Sequence, residues 1–205
     1  MSLVACLKSQ ISNLKSLIPI LMTYQTHPVD IAGVHRELRL MEVAPGVRIA
    51  VLNILGDTEL TQAAAKALVK QLPASANYLV TAEAKSIPLA YAMSVESGLP
   101  YIVLRKSYKP YMGDALSAET LSITTNKPQT LFLDEMDRDR IKGRNVVVVD
   151  DVISTGSTLQ GMRLIMGKAG ANVVAEAAIL TEGDRAKWSS VLSLGHLPVF
   201  LEEVK

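Results

Sequence analysis

Apolar and polar positions alternate in part over residues 34–43 (VHRELRLMEV) and the pattern continues over 47–55 (VRIAVLNIL), with Ala44-Pro45-Gly46 between them. Period two is the pleat of a half-buried strand and Pro-Gly is turn chemistry, so this stretch predicts a hairpin. Thr58 carries an N-cap side chain ahead of the Ala-rich run 59–72, which Pro73 ends, and this predicts a helix. Beyond it the period changes repeatedly. Residues 77–81 (NYLVT) form a short apolar strand, 86–97 a helix closed by Gly98, and 101–105 (YIVLR) another strand. A polar stretch, 106–118, precedes two further strands near 119–125 and 130–134. Residues 134–140 (DEMDRDR) alternate in sign and are expected to be a solvated surface turn. Four valines at 146–149 make a buried strand, 157–169 a helix stopped by Gly170, and 173–180 the next strand.

Short, continuously apolar strands alternating with helices indicate an α/β fold whose central, mostly parallel sheet is covered on both faces. Ligands of such sheets bind beyond the carboxyl ends of the strands, here 81–86, 105–111, 150–158 and 181–188. No repeat or linker divides residues 1–205, which read as one domain. The first 22 residues are apolar at helical spacing, interrupted by Lys8, Gln10, Asn13, Lys15 and Ser16. They predict an amphipathic helix within an N-terminal extension, 1–33, packed on the domain or a second subunit. They lack the layout of a signal peptide. No run of about 18 apolar residues offers a membrane span.

A net charge of +1 argues against a strongly basic nucleic-acid binder. Tyr101, Arg105, Lys106, Tyr108, Lys109 and Tyr111 do mix bases with aromatics as RNA surfaces do, but without the overall charge to support that use. Cys6 is the sole cysteine, which excludes an intramolecular disulfide and suggests a reducing, cytoplasmic setting. His27, His35 and His196 lack metal-ligand spacing.

The chemistry concentrates in VVVVDDVISTGST, residues 146–158. A buried strand delivers Asp150 and Asp151 to its end, pointing to opposite faces. Carboxylates accept hydrogen bonds, which suits ribose hydroxyls or Mg²⁺-bound water. Ser154, Thr155, Gly156, Ser157 and Thr158 then open a helix, whose free N–H groups and positive end favour a phosphate. A diol-binding acid and a phosphate turn about one ribose apart describe a ribose 5-phosphate site. Neither a Gly-Lys-Ser/Thr loop nor G-x-G-x-x-G is present.

This run resembles the 5-phosphoribosyl 1-pyrophosphate (PRPP) motif of type I phosphoribosyltransferases. Residues 80–86 (VTAEAKS) resemble that family's pyrophosphate loop, and Arg105-Lys106-Ser107-Tyr108-Lys109 the Arg-Lys-x-x-Lys stretch of its adenine-type members. The resemblance covers about residues 77–185. It implies Mg²⁺-dependent chemistry, a homodimer, small-molecule substrates (PRPP and a nucleobase), and a mobile catalytic loop or hood at 110–121. It assigns the ribose hydroxyls to Asp150 and Asp151, the 5-phosphate to 154–158, and pyrophosphate to Ala84, Lys85 and Ser86, with Arg105, Lys106 and Lys109 neutralising it. The segment 185–205 is expected in the base-binding hood, with Val152, Glu182 and Asp184 as candidate base contacts. Members of that family that use 6-oxopurines usually place a lysine at the end of this strand; none lies on 173–180 and Lys187 falls in a loop, so the resemblance implies adenine as the acceptor, in purine salvage. A xanthine or other 6-oxopurine enzyme and a PRPP- or nucleotide-sensing regulator are the alternatives. A pyrophosphokinase fragment would need an ATP site, and no segment suggests one.

Overall fold

The computed structural model describes residues 24–121 and 128–201; the helix expected over 1–22 lies outside them. Its centre is β8 (Asn145–Ile153), the valine run, in a five-stranded parallel sheet. The order is β10 (Leu192–Leu197), β9 (Asn172–Glu182), β8, β4 (Tyr78–Ala82), β5 (Tyr101–Leu104). Val146 and Val148 join an apolar cluster with Leu159, Met162, Ile165 and Met166 of α4 (Ser157–Ala169). Val147 and Val149 join the opposite cluster, with Leu60, Ala64 and Leu68 of α1 (Thr58–Val69) and Leu89 and Met93 of α2 (Ile87–Ser97). A strand stretch buried on both faces has no polar side, which is why valine fills every position from 146 to 149.

A second, antiparallel sheet has the order β1 (Thr26–Ile31), β2 (Val34–Ala44), β3 (Val47–Val51), β11 (Phe200–Leu201). The β2–β3 hairpin turns at Pro45-Gly46, as the pattern predicts. Arg36 of β2 ties this sheet to the core: its Nε and Nη2 donate to Asp57 at 2.8 and 2.9 Å, and Nη2 also to Glu59 at 2.8 Å. Asp57, rather than Thr58, caps α1, because its carboxylate accepts from Leu60 N at 3.1 Å. The Arg36 guanidinium holds the Asp57 carboxyl below its usual range.

Two other expectations are corrected. Residues 26–31 are strand, not part of a helical extension; Pro28 masks this in the sequence but is tolerated on an edge strand. The supposed surface turn is a helix, α3 (Glu135–Ile141), capped by Asp134, with acids in its first turn, arginines in its last and Ile141 buried beneath it. Its alternating charges complement the helix dipole and pair at i,i+3, as in Arg140–Asp137 at 3.1 Å. Near the C-terminal end of the described residues, β10 is an edge strand of the core sheet and β11 joins the antiparallel one. Gly195 lets β10 lie against β9, since a Cβ there would sit 2.9 Å from Leu180 Cδ2.

The polar stretch after β5 contains a 3₁₀ turn, Pro110–Met112, and from Leu116 it is strand: β6 (Leu116–Leu121) pairs with β7 (Pro128–Leu133). Glu135 accepts from Asp114 N at 3.0 Å and Arg138 donates to Asp114 O at 2.9 Å, so α3 fastens the approach to that hairpin.

Candidate active site

Parallel pairing brings the carboxyl ends of β5, β4, β8 and β9 to one edge of the sheet, with Ala82 opposite Leu104, Thr81 opposite Val149 and Ile153 opposite Thr181. The four segments expected to carry ligands therefore lie side by side. Ser86, at the N-cap of α2, is buried against both aspartates: its hydroxyl donates to Asp150 Oδ1 at 2.6 Å and accepts from Asp151 N at 3.2 Å. Lys85 Nζ lies 3.2 Å from Asp151 Oδ2 and donates to Leu52 O at 3.1 Å. Both carboxylates thus reach one hydroxyl, Asp151 Oδ1 lying 3.3 Å from Ser86 Oγ, rather than parting to opposite faces. Asp151 turns toward Lys85, while Asp150 lines a small cavity with residues 154–158. Burial, and then the neighbouring charge of Asp151, push the Asp150 carboxyl up to about 7.

That cavity, about 160 Å³, is lined by Asp150, Val152, Ile153, Leu159 and all of 154–158. The N-cap residue Gly156 has no side chain to cap α4, and Thr155 Oγ1 takes only the first helical N–H, that of Ser157, at 3.4 Å. Gly156 has φ +83°, and a Cβ there would meet Trp188 Cη2 at 2.5 Å. Gly156→Ala therefore combines a left-handed strain of about 1–2 kcal/mol with a displaced indole. The expected result is a lower melting temperature together with at least a tenfold loss of ribose 5-phosphate affinity, measured by calorimetry. An alanine protein that binds normally would show that the loop does not hold the phosphate.

Arg105, Lys106 and Lys109 follow β5, and Glu83 organises them. Its carboxylate accepts from Lys106 N at 2.9 Å and lies 3.1 Å from Arg105 Nε. The Lys106 N–H, Arg105 and the field of Lys109 hold its carboxyl below the usual range. Arg105 also donates to the Tyr111 hydroxyl at 3.1 Å. Ala84 stands between Glu83 and Lys85, in the turn from β4 to α2.

Of the candidate base contacts, Val152 is half-buried in the cavity that residues 154–158 line. Glu182 is buried and bonded to Ser154; burial raises its carboxyl and the Ser154 hydrogen bond opposes this. Asp184 is exposed and accepts from Ala186 N at 3.0 Å, holding the 3₁₀ turn Ala186–Trp188. Sequence reasoning missed what this turn brings. Trp188 Nε1 donates to Glu182 O at 3.0 Å, and Lys187 Nζ donates to Thr155 O at 3.0 Å. Lys187 is thus not a distant loop residue. The strand-end rule marked its segment, but no spacing singled it out. His196 also meets this edge, with Nδ1 2.9 Å from Thr181 Oγ1 and Nε2 donating to Gly183 O at 3.0 Å.

A five-stranded parallel sheet flanked by helices is the α/β fold of type I phosphoribosyltransferases. The chain belongs to the phosphoribosyl transferase domain family, whose sequence profile matches residues 55–192. The hypoxanthine/guanine phosphoribosyltransferase of Methanococcus voltae is 30% identical over 142 residues, 69% of either chain. The purine biosynthesis transcriptional repressor PurR of Bacillus subtilis is 29% identical over 143 residues, 69% of this chain and 49% of its own. Among solved structures, the adenine phosphoribosyltransferase of Thermoanaerobacter pseudethanolicus aligns with a TM-score of 0.64 and 20% identity, covering 78% of this chain and 95% of that one. At that identity the likeness is one of fold.

Proposed function

We propose that this protein transfers the 5-phosphoribosyl group of PRPP to a purine base, releasing pyrophosphate, with adenine as the acceptor. One observation carries the reading. Ser86 Oγ, within 2.6 Å of Asp150 Oδ1, joins the expected pyrophosphate loop to the expected ribose-binding pair, and Asp150 lines the same cavity as residues 154–158. Asp150 and Asp151 accept from the ribose hydroxyls, and 154–158 hold the 5-phosphate. The base nitrogen attacks C1 as the C1–O bond to pyrophosphate breaks, through a transition state resembling an oxocarbenium ion. Ala84, Lys85 and Ser86 contact the departing pyrophosphate; Arg105, Lys106 and Lys109 neutralise it.

Among the described residues no three His, Cys, Asp or Glu side chains converge as a metal cage. The paired carboxylates at the end of β8 are hard oxygen donors and fit Mg²⁺ reached through its waters, with PRPP supplying the remaining oxygens. Bound there, the ion neutralises charge on the leaving group.

Adenine is chosen because no lysine lies at the end of β9 to donate to a 6-oxo group, whereas a 6-amino group is itself a donor and needs only an acceptor. The names of the sequence relatives favour a second reading, a 6-oxopurine acceptor. Pyrophosphate release with PRPP, Mg²⁺ and a panel of adenine, hypoxanthine, guanine, xanthine, orotate and uracil decides. Adenine is expected to give the highest kcat/KM, because a pocket with a mismatched buried polar group rejects the wrong base strongly. A higher value for any 6-oxopurine overturns that choice. Tight PRPP binding with no turnover on any base assigns the chain to regulation instead.

A further inference from the structure

We propose that Lys187 is a phosphate-binding residue of this site, delivered to the loop 154–158 from the turn after β9; the inference rests on the phosphoribosyl reading above and deepens it. The loop residues carry hydroxyls and N–H groups but no charge. Their surroundings are acidic: Asp150 lines the same cavity, and the Glu182 side chain is bonded to Ser154. A phosphomonoester dianion entering there meets two carboxyl groups. The dianion's own charge of nearly two exceeds the partial charge at the N-terminus of α4, about half a unit.

Lys187 supplies a cation in contact with the loop. Its ammonium donates to Thr155 O at 3.0 Å. An ammonium has three N–H donors, so others are left for a phosphate oxygen beside that carbonyl. The arm that carries it is fixed at several points. Asp184 caps Ala186 N at 3.0 Å, Trp188 N donates to Arg185 O at 3.2 Å, and the indole N–H holds Glu182 O. The Trp188 ring packs on Gly156, and the Lys187 ammonium lies 4.5 Å from its centroid, so a cation–π contact orients the long side chain toward the loop. N–H groups of α4 thus give the phosphate its geometry, and Lys187 gives it charge.

The test uses the full chain, with Lys187→Gln and Lys187→Arg, titrated calorimetrically with ribose 5-phosphate at low and high salt. Lys187→Gln is expected to weaken binding about tenfold and to flatten the salt dependence, with Lys187→Arg within about threefold of the parent. Because the phosphate is held equally in ground and transition states, KM for PRPP should rise with kcat nearly unchanged. Melting temperatures should stay together, since the side chain is exposed. Unchanged ribose 5-phosphate affinity in Lys187→Gln overturns the assignment. So does a fall in melting temperature with equal loss of affinity for ribose 5-phosphate and for the free base, which marks a packing role. If the parent protein itself fails to bind ribose 5-phosphate, the phosphoribosyl reading falls first, and the role of Lys187 with it.

Discussion

An Asp150→Asn/Asp151→Asn protein is expected to fold and to lose PRPP affinity by about 100-fold or more. Hydrogen bonds to charged groups contribute roughly 1.5–3 kcal/mol each, and two carboxylates accept from the diol. Stability should move the other way. Folding raises the Asp150 carboxyl from 3.8 to about 7, chiefly by burial, so the folded state binds this proton more tightly than the unfolded chain does. Stability from this group is therefore lost as pH climbs from about 4 to about 7, and stays lost above that. Asp150→Asn, which cannot ionise, should melt above the parent at pH 8 and converge with it toward pH 4. Calorimetric titration with PRPP and melting curves across that pH range check both signs. A folded double variant that still binds PRPP normally removes the diol from this strand end.

Lys106→Ala and Lys109→Ala should each lower kcat by about 100-fold while leaving the affinity for the nucleoside monophosphate product within a few-fold. Fixed charges aimed at a leaving group are typically worth about 3 kcal/mol in the transition state, and the product has lost that group. Geometry separates these lysines from their neighbour. The Arg105 guanidinium is held by Glu83 and the Tyr111 hydroxyl, whereas neither lysine ammonium is closed into an ion pair among the described residues. In the proposed reading Arg105 therefore both fixes the stretch and adds charge, while the two lysine ammoniums make the larger contribution to pyrophosphate. Steady-state kinetics beside product titrations give the comparison; equal losses in both would mark a general basic surface.

The parts of this site that are legible in the sequence are local ones. The valine run, both aspartates and the turn into α4 occupy one unbroken stretch, so strand period, glycine and helix start all appear within thirteen residues, 146–158. Contacts between distant residues leave no such trace. Ser86 meets Asp150 across 64 residues, and Lys187 meets Thr155 across 32, with nothing periodic to announce either. Local chemistry also misleads where two readings share one pattern. The alternating charges of 134–140 suit a solvated turn, yet Asp134 as cap and buried Ile141 make them a helix. Thr58 has a capping side chain, but Asp57 one residue earlier takes the role because it is also clamped by Arg36.

Trp188 is the chain's single tryptophan, and its ring rests on Gly156 at the centre of the loop 154–158. Indole emission follows the polarity and charge of its immediate surroundings, and here those are Gly156, the Glu182 carbonyl and the Lys187 ammonium. The molecule thus carries a native optical reporter at the spot where a phosphate would dock. With no dye or engineered label, the colour and intensity of that one fluorophore can follow loop occupancy in a rapid-mixing trace, and so time substrate capture apart from the bond-breaking that follows it.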